Sequence, residues 1–276
     1  MPYALFECAD NGSSGEMDKI WDRVWSDSKI SDKLLQIEDD ELLPLFIKYL
    51  PLKGKILEAG CGLGQWVIYL RDREYDITGI DFAEQTVRTT KKYNNALPIE
   101  FGDVRMTRFE NNYFDAYISL GVVEHFREGP GQALSEARRI LKKDGLLFIS
   151  VPVFNSVRKY AVCFEKLYDF MKTNRFIRKM LGKKKEYPEK HFIEYRFSIE
   201  EFETILNKSS FPIAHKFALG HSTLSMFNYF LEPPTILLKG TFFYNICEYI
   251  SRVLKKMSEW IAPHSVLWIC SNDKKE

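Results

Sequence analysis

Between residues 55 and 151 the chain alternates two spacings of apolar residues. Short apolar runs rich in β-branched and aromatic side chains, KILEAG from Lys55, DITGID from Asp76, IEFGDV from Ile99, FDAYISL from Phe114 and GLLFISVP from Gly145, read as strands. Between them, apolar residues recur every three or four positions, and this spacing predicts helices over about Gln65–Arg73, Ala83–Tyr93 and Gln132–Leu141. Strands alternating with helices in units this short predict parallel β-α-β crossovers and an open sheet covered on both faces. In such a sheet, ligands bind at the carboxyl ends of the strands. Upstream, the first fifty residues read as helical: Ile20, Trp21, Val24 and Trp25 are spaced for one face, and a second periodic run from Leu42 to Leu50 stops at Pro51 and Gly54. Trp21 and Trp25 are expected to pack in the core or as part of a lid.

The end of the first predicted strand carries the first chemistry. In LEAGCGLG three glycines, Gly60, Gly62 and Gly64, stand on alternate positions, where the chain must bend sharply and a ligand can approach the backbone. A dinucleotide fingerprint is G-x-G-x-x-G, but Gln65 stands three residues after Gly62, so the pattern here is G-x-G-x-G. Glu58, just ahead of the turn, would repel a pyrophosphate in a site that excludes water and would attract a cation instead. Both features disfavour a nicotinamide oxidoreductase. Asp81 ends the second strand in TGIDF, where a carboxylate can accept hydrogen bonds from both hydroxyls of a ribose. The ligand implied is one nucleoside with a cationic group attached. Asp103 in FGDV offers an acceptor to an exocyclic adenine amine and the Val104 amide a donor to the ring, with the adenine lying near Phe82.

Composition narrows the class without changing it. The chain has 276 residues, 45% of them hydrophobic, enough for one large domain or one domain with insertions at about 150 residues each. A formal net charge of +1 gives no whole-chain attraction to nucleic acid. Five scattered cysteines with no Cys-x-x-Cys pair indicate neither a disulfide framework nor a zinc site, so no metal is expected. Together with an N-terminus lacking a basic and then apolar leader, they point to a reducing, cytoplasmic setting.

LEAGCGLG, GIDF, GDV, FDAYISLGVVEHF and LKKDGLLFISVP, in that order over roughly residues 50 to 152, resemble class I S-adenosylmethionine-dependent methyltransferases. RFSIEEFETIL, residues 196 to 206, is similar to a later helix that many members carry. The resemblance implies a doubly wound, mostly parallel seven-stranded Rossmann-like α/β sheet with helices on both faces. It also implies S-adenosyl-L-methionine as cofactor, which has no phosphates and carries an ammonium and a sulfonium. By the same implication Glu58 faces that charge, the turn Gly60, Cys61, Gly62 and Gly64 passes the methionine moiety, Asp81 takes the ribose, and Phe82, Asp103 and Val104 take the adenine. Leu120 and Gly121 line the pocket. Cys61 reads as a small packing residue rather than a nucleophile. His125, directly after the fourth strand, is the candidate general base for an amine or hydroxyl acceptor, against the alternative of a loop histidine with a structural role. Glu124 beside it orients the loop or meets substrate. The chain lacks an N/D-P-P-Y motif and has VPV where base-modifying enzymes of another type carry a Pro-Cys pair, so a nucleic-acid substrate is not expected.

The organisation expected is an N-terminal helical segment (1–50), a cofactor-binding core (51–153), a basic helical insertion (154–192), a core helix and strand (193–220), an amphipathic helical insertion (221–263) and a final strand with tail (264–276). The first insertion holds eleven basic residues against four acidic ones, a local balance of +7. The second ends in a helix with Phe243, Ile246, Cys247, Ile250, Val253 and Leu254 on one face, and Lys239 and Glu248 keep it short of the about 18 uncharged residues of a membrane span. Both insertions are expected to cap a small-molecule acceptor. The alternatives are peripheral contact with an anionic membrane or a lipid-linked acceptor, an RNA or protein substrate, or a module that binds the cofactor and transfers nothing.

Overall fold

The computed structural model describes residues 3–8, 21, 22, 25, 26, 28–154, 190–220, 249, 253, 260 and 263–274. The two expected insertions, 154–192 and 221–263, lie almost wholly outside the described residues.

Seven strands form the main sheet: β2 (Lys55–Ala59), β3 (Asp76–Asp81), β4 (Ile99–Phe101), β5 (Phe114–Leu120), β6 (Leu141–Pro152), β8 (Ile213–Leu219) and β9 (Ser265–Ser271). Their order is β4-β3-β2-β5-β6-β9-β8. The first five run parallel and β9 is antiparallel to both of its neighbours. From β2 the chain first builds outward to β4 and then returns to lay β5 on the other side, so the strand order reverses between β2 and β5. That switch point is where a doubly wound sheet opens a crevice.

Alternation along each strand assigns its side chains to two cores. Ile56, Ile118, Phe148 and Ile269 point to one face, where they pack with Phe46, Trp66, Val67 and Leu70. These come from α2 (Leu43–Tyr49) and α3 (Gln65–Arg71), alongside α1 (Ile30–Ile37) and α4 (Glu84–Tyr93). Leu57, Tyr117, Leu147, Ile149 and Trp268 point to the other, against Ala133, Leu134, Ala137, Phe202 and Leu206. Those belong to α5 (Gly131–Ile140) and α6 (Ile199–Lys208). Strands buried on both sides are continuously apolar, which is why they stood out in the sequence. In RFSIEEFETIL, Ser198 opens α6 with a capping box: its hydroxyl accepts from the Glu201 amide at 3.1 Å while the Glu201 carboxylate accepts from the Ser198 amide at 3.0 Å.

Two departures from expectation concern the outlying segments. Residues 3–8 of the supposed helical N-terminus form a strand, β1 (Tyr3–Cys8). It pairs antiparallel with β7 (Lys190–Arg196), which begins inside the stretch read as a helical insertion and lies in a separate two-stranded sheet. YALFEC was read with a helical segment because no alternation distinguished it; its partner, more than 180 residues on, supplies the ladder. Among the described residues no helix is long and apolar enough to cross a membrane.

Candidate active site

The turn after β2 is shaped by glycines and tied down by Asp81. Gly60, Gly62 and Gly64 adopt φ of +78°, +52° and +71°, a region costly for side-chain-bearing residues. At Gly60 a Cβ would also stand 2.4 Å from Val122 of the loop after β5, so the two loops flanking the switch point could not approach as they do. The amides of Gly60 and Cys61 donate to the Ile80 carbonyl at 2.8 and 3.0 Å, and the Gly62 amide donates to Asp81 Oδ2 at 2.8 Å. Asp81 Oδ1 accepts from the Ala83 amide at 2.9 Å, at the entry to α4. One carboxylate thus joins the glycine turn to the next helix. Burial pushes its pKa up, and the backbone donors pull against that shift.

Glu58 lies beneath this turn. It is buried, it accepts from the Val67 amide in the first turn of α3, and its Oε2 meets no partner among the described residues. Desolvation raises its pKa well above the ordinary carboxylate value.

Beyond the switch point, Leu120 ends β5, Gly121 turns at φ +66°, and a single 3₁₀ turn over Val123–His125 follows. His125 Nδ1 is 2.9 Å from the Ile193 carbonyl of β7. A carbonyl only accepts, so Nδ1 carries the proton and Nε2 presents a lone pair. Burial lowers the His125 pKa, which keeps the ring neutral at neutral pH. Nε2 is 3.9 Å from Glu124 Oε1, and the Glu124 carboxyl is itself buried and raised well above its ordinary pKa by desolvation.

Between the two loops opens a cleft with about 470 Å³ of empty space, part of it open to solvent. Of the residues named from sequence, Gly60, Asp81, Phe82, Leu120, Gly121 and His125 line it. Glu58, Cys61, Gly62 and Gly64 lie beside or below it. Cys61 is buried in the core, with its thiol pKa raised by desolvation, as suits a packing residue. Asp103 and Val104 do not line the cleft: Asp103 takes Arg105 in two contacts, Nε to Oδ1 at 3.1 Å and Nη2 to Oδ2 at 2.7 Å, and Val104 is buried in the core. Val122, Phe126, Trp21 and Trp25 complete the wall. The first two had a visible signal, their adjacency to Gly121 and His125; the tryptophans were read only as packing or lid residues.

The residues present suit a nucleoside that carries a cation. Asp81 keeps acceptor capacity beyond its backbone donors, Phe82 offers a flat apolar surface, and one oxygen of the buried Glu58 carboxyl under the turn meets no partner among the described residues.

Residues 57–149 match the family described as "Methyltransferase domain". The chain is 30% identical over 109 residues to YqeM of Bacillus subtilis (strain 168), a protein named for methyltransferase activity, in an alignment covering 37% of this chain and 44% of that protein. It is 26% identical over 125 residues to the malonyl-[acyl-carrier protein] O-methyltransferase of Buchnera aphidicola, covering 44% of this chain and 49% of that one. The chain therefore aligns with less than half the length of either relative. A solved S-adenosylmethionine-dependent methyltransferase from Methanosarcina mazei shares the fold, with a TM-score of 0.55, 18% identity and coverage of 83% of this chain and 96% of that chain. Residues 57–149 therefore match a methyltransferase domain, and the sheet that holds them has the fold of the Methanosarcina mazei structure.

Proposed function

We propose that this chain transfers a methyl group from S-adenosylmethionine to a hydroxyl, amine or carbon of a small-molecule acceptor. The observation that carries the reading is one cleft, at the switch point, with the Asp81 carboxylate on its wall beside the glycine turn and, on the opposite loop, a neutral histidine whose Nε2 holds a lone pair. When bound, the cofactor supplies an activated methyl on a sulfonium, an excellent leaving group. Asp81 accepts the ribose hydroxyls, and a cation settling beside Glu58 favours the ionised form that burial alone disfavours. The apolar lining of Phe82, Leu120, Val122 and Phe126 excludes water, and orientation supplies most of the acceleration. His125 takes the acceptor's proton on Nε2, while the Ile193 carbonyl holds Nδ1–H and fixes the ring.

A lipid- or carrier-linked acceptor is the second reading. It draws on the +7 balance of residues 154–192, suited to a phosphorylated carrier group, and on the acyl-carrier acceptor in the name of the Buchnera relative.

Two variants test the assignment together. Asp81→Ala should weaken S-adenosylmethionine binding by ~2–4 kcal/mol in calorimetry, the scale of lost charge-assisted hydrogen bonds. His125→Ala should leave that binding nearly intact and cut kcat by ~10²–10⁴-fold, with a residual rate that rises with pH as the acceptor ionises unaided. Unchanged affinity in Asp81→Ala, or tighter binding of NAD than of S-adenosylmethionine by the native chain, would sink the cofactor assignment. Full activity in His125→Ala would return that histidine to a structural role.

A further inference from the structure

The outer wall of the cleft comes from far upstream. Trp21 and Trp25 both line it, four residues apart and with helical backbone at each. The Trp21 ring stands edge-on to His125, with centroids 4.8 Å apart and planes at 79°. The Trp25 indole covers the glycine turn so closely that a Cβ on Gly62 would lie 2.6 Å from its Cζ2. One short segment therefore touches both halves of the site, the turn on the cofactor side and the histidine on the acceptor side.

Asp22 ties this segment to the sheet. Its Oδ1 accepts from both the amide and the hydroxyl of Thr86, each at 3.0 Å. Thr86 is in the first turn of α4, and the residue that precedes α4, Ala83, has no side chain with which to cap it. Two carboxylates share that duty: Asp81 takes the Ala83 amide and Asp22 the Thr86 amide. They crowd the same helix end, and the charge of Asp22 is one of the influences that raise the Asp81 pKa. Hydroxyl donors arriving at Asp81 ease that repulsion, and so favour Asp22 in its place.

We propose that Trp21, Asp22 and Trp25 form a latched wall of the cofactor cleft: Asp22 clips the segment to α4, the indoles close over the glycine turn and His125, and docking of this wall and cofactor binding strengthen each other. The coupling is reciprocal by linkage, so whatever loosens the latch must also loosen the cofactor. The inference rests on the S-adenosylmethionine reading above.

The test uses the full chain and S-adenosylhomocysteine as probe, since it needs no acceptor. Its release is followed by stopped-flow tryptophan fluorescence, and amide hydrogen exchange is measured at Thr86 with and without the probe. Asp22→Ala should release the probe roughly fivefold faster, the equivalent of one lost helix cap, and Thr86 exchange should no longer slow when the probe binds. Asp22→Asn should stay within about twofold of the native chain, because asparagine caps as well as aspartate. Thr86→Val keeps the shape, removes the hydroxyl donor and should move release in the same direction by less. Native release rates in Asp22→Ala, with the probe still bound by the native chain, overturn the latch alone. A native chain that binds no S-adenosylhomocysteine overturns the cofactor reading and the latch with it.

Discussion

Glu58 and Glu124 are buried, each with one carboxyl oxygen that meets no partner among the described residues. For Glu124, desolvation is the main influence raising the pKa, and the charge of Glu194 adds to it. The unfolded carboxyl loses its proton near the ordinary value of 4.5, whereas the folded one keeps it to higher pH. Between those two values the unfolded state binds fewer protons, so stability falls as pH rises through the interval. Glutamine has the same shape and does not titrate. Glu124→Gln should therefore be more stable than the native chain at pH 8, with the difference shrinking toward pH 4.5 in urea melts; an equal difference at both pH values would mean that the carboxyl is not held neutral. At this scale, the sequence told which residues would share one cleft where they follow the ends of predicted strands, as Gly60, Asp81 and His125 do. Asp103 lies outside the lining and pairs with Arg105 two residues on, a contact that its place after the third strand does not announce. Trp21 meets His125 across a separation of 104 positions, and no local pattern encodes such a contact.

The element that closes the main sheet also secures a helix end. Asn272, fully buried just after β9, donates from Nδ2 to the carbonyls of Arg138, Leu141 and Lys142 at 3.1, 3.1 and 3.0 Å. These carbonyls belong to the last turn of α5 and the start of β6, where helical bonding has run out. Asn272→Ala should cost about 1–3 kcal/mol in chemical denaturation, since it removes three contacts made by one buried amide, and of their acceptors only the Leu141 carbonyl keeps another side-chain donor among the described residues, Lys274 Nζ. Asn272→Asp should cost more, because it sets a carboxylate against three carbonyls. Equal stability of the two variants would show that solvent reaches the site. Such a tie cannot be read from SVLWICSND, whereas the elements between residues 55 and 151 could be, because strands covered on both faces are continuously apolar and amphipathic helices repeat every 3.6 residues. β1 escaped for the opposite reason: the strand it pairs with lies more than 180 residues on, and a six-residue strand of mixed polarity resembles a helix turn or two.

For the whole molecule, charge is balanced overall at +1 yet concentrated at +7 in residues 154–192. If that stretch meets an anionic bilayer, the protein should co-sediment with phosphatidylserine vesicles at low salt, each basic residue near the surface contributing ~1 kcal/mol. About 1 M salt, where the Debye length falls to ~3 Å, should release it. Failure to sediment at low salt would remove membrane contact and leave the small-molecule and carrier-linked acceptors. The two-stranded sheet has a consequence in time as well as in space. The strands β4, β3, β2, β5 and β6, which flank the crevice, have all left the ribosome once residue 152 emerges. The carbonyl that orients His125 has not, since Ile193 lies in β7. The partner of β7, β1, is made more than 180 residues earlier, and at ~5–20 residues per second it stays without its ladder for roughly 10–40 s. In each newly made chain, then, Asp81 and the glycine turn have left the ribosome well before the carbonyl that meets His125.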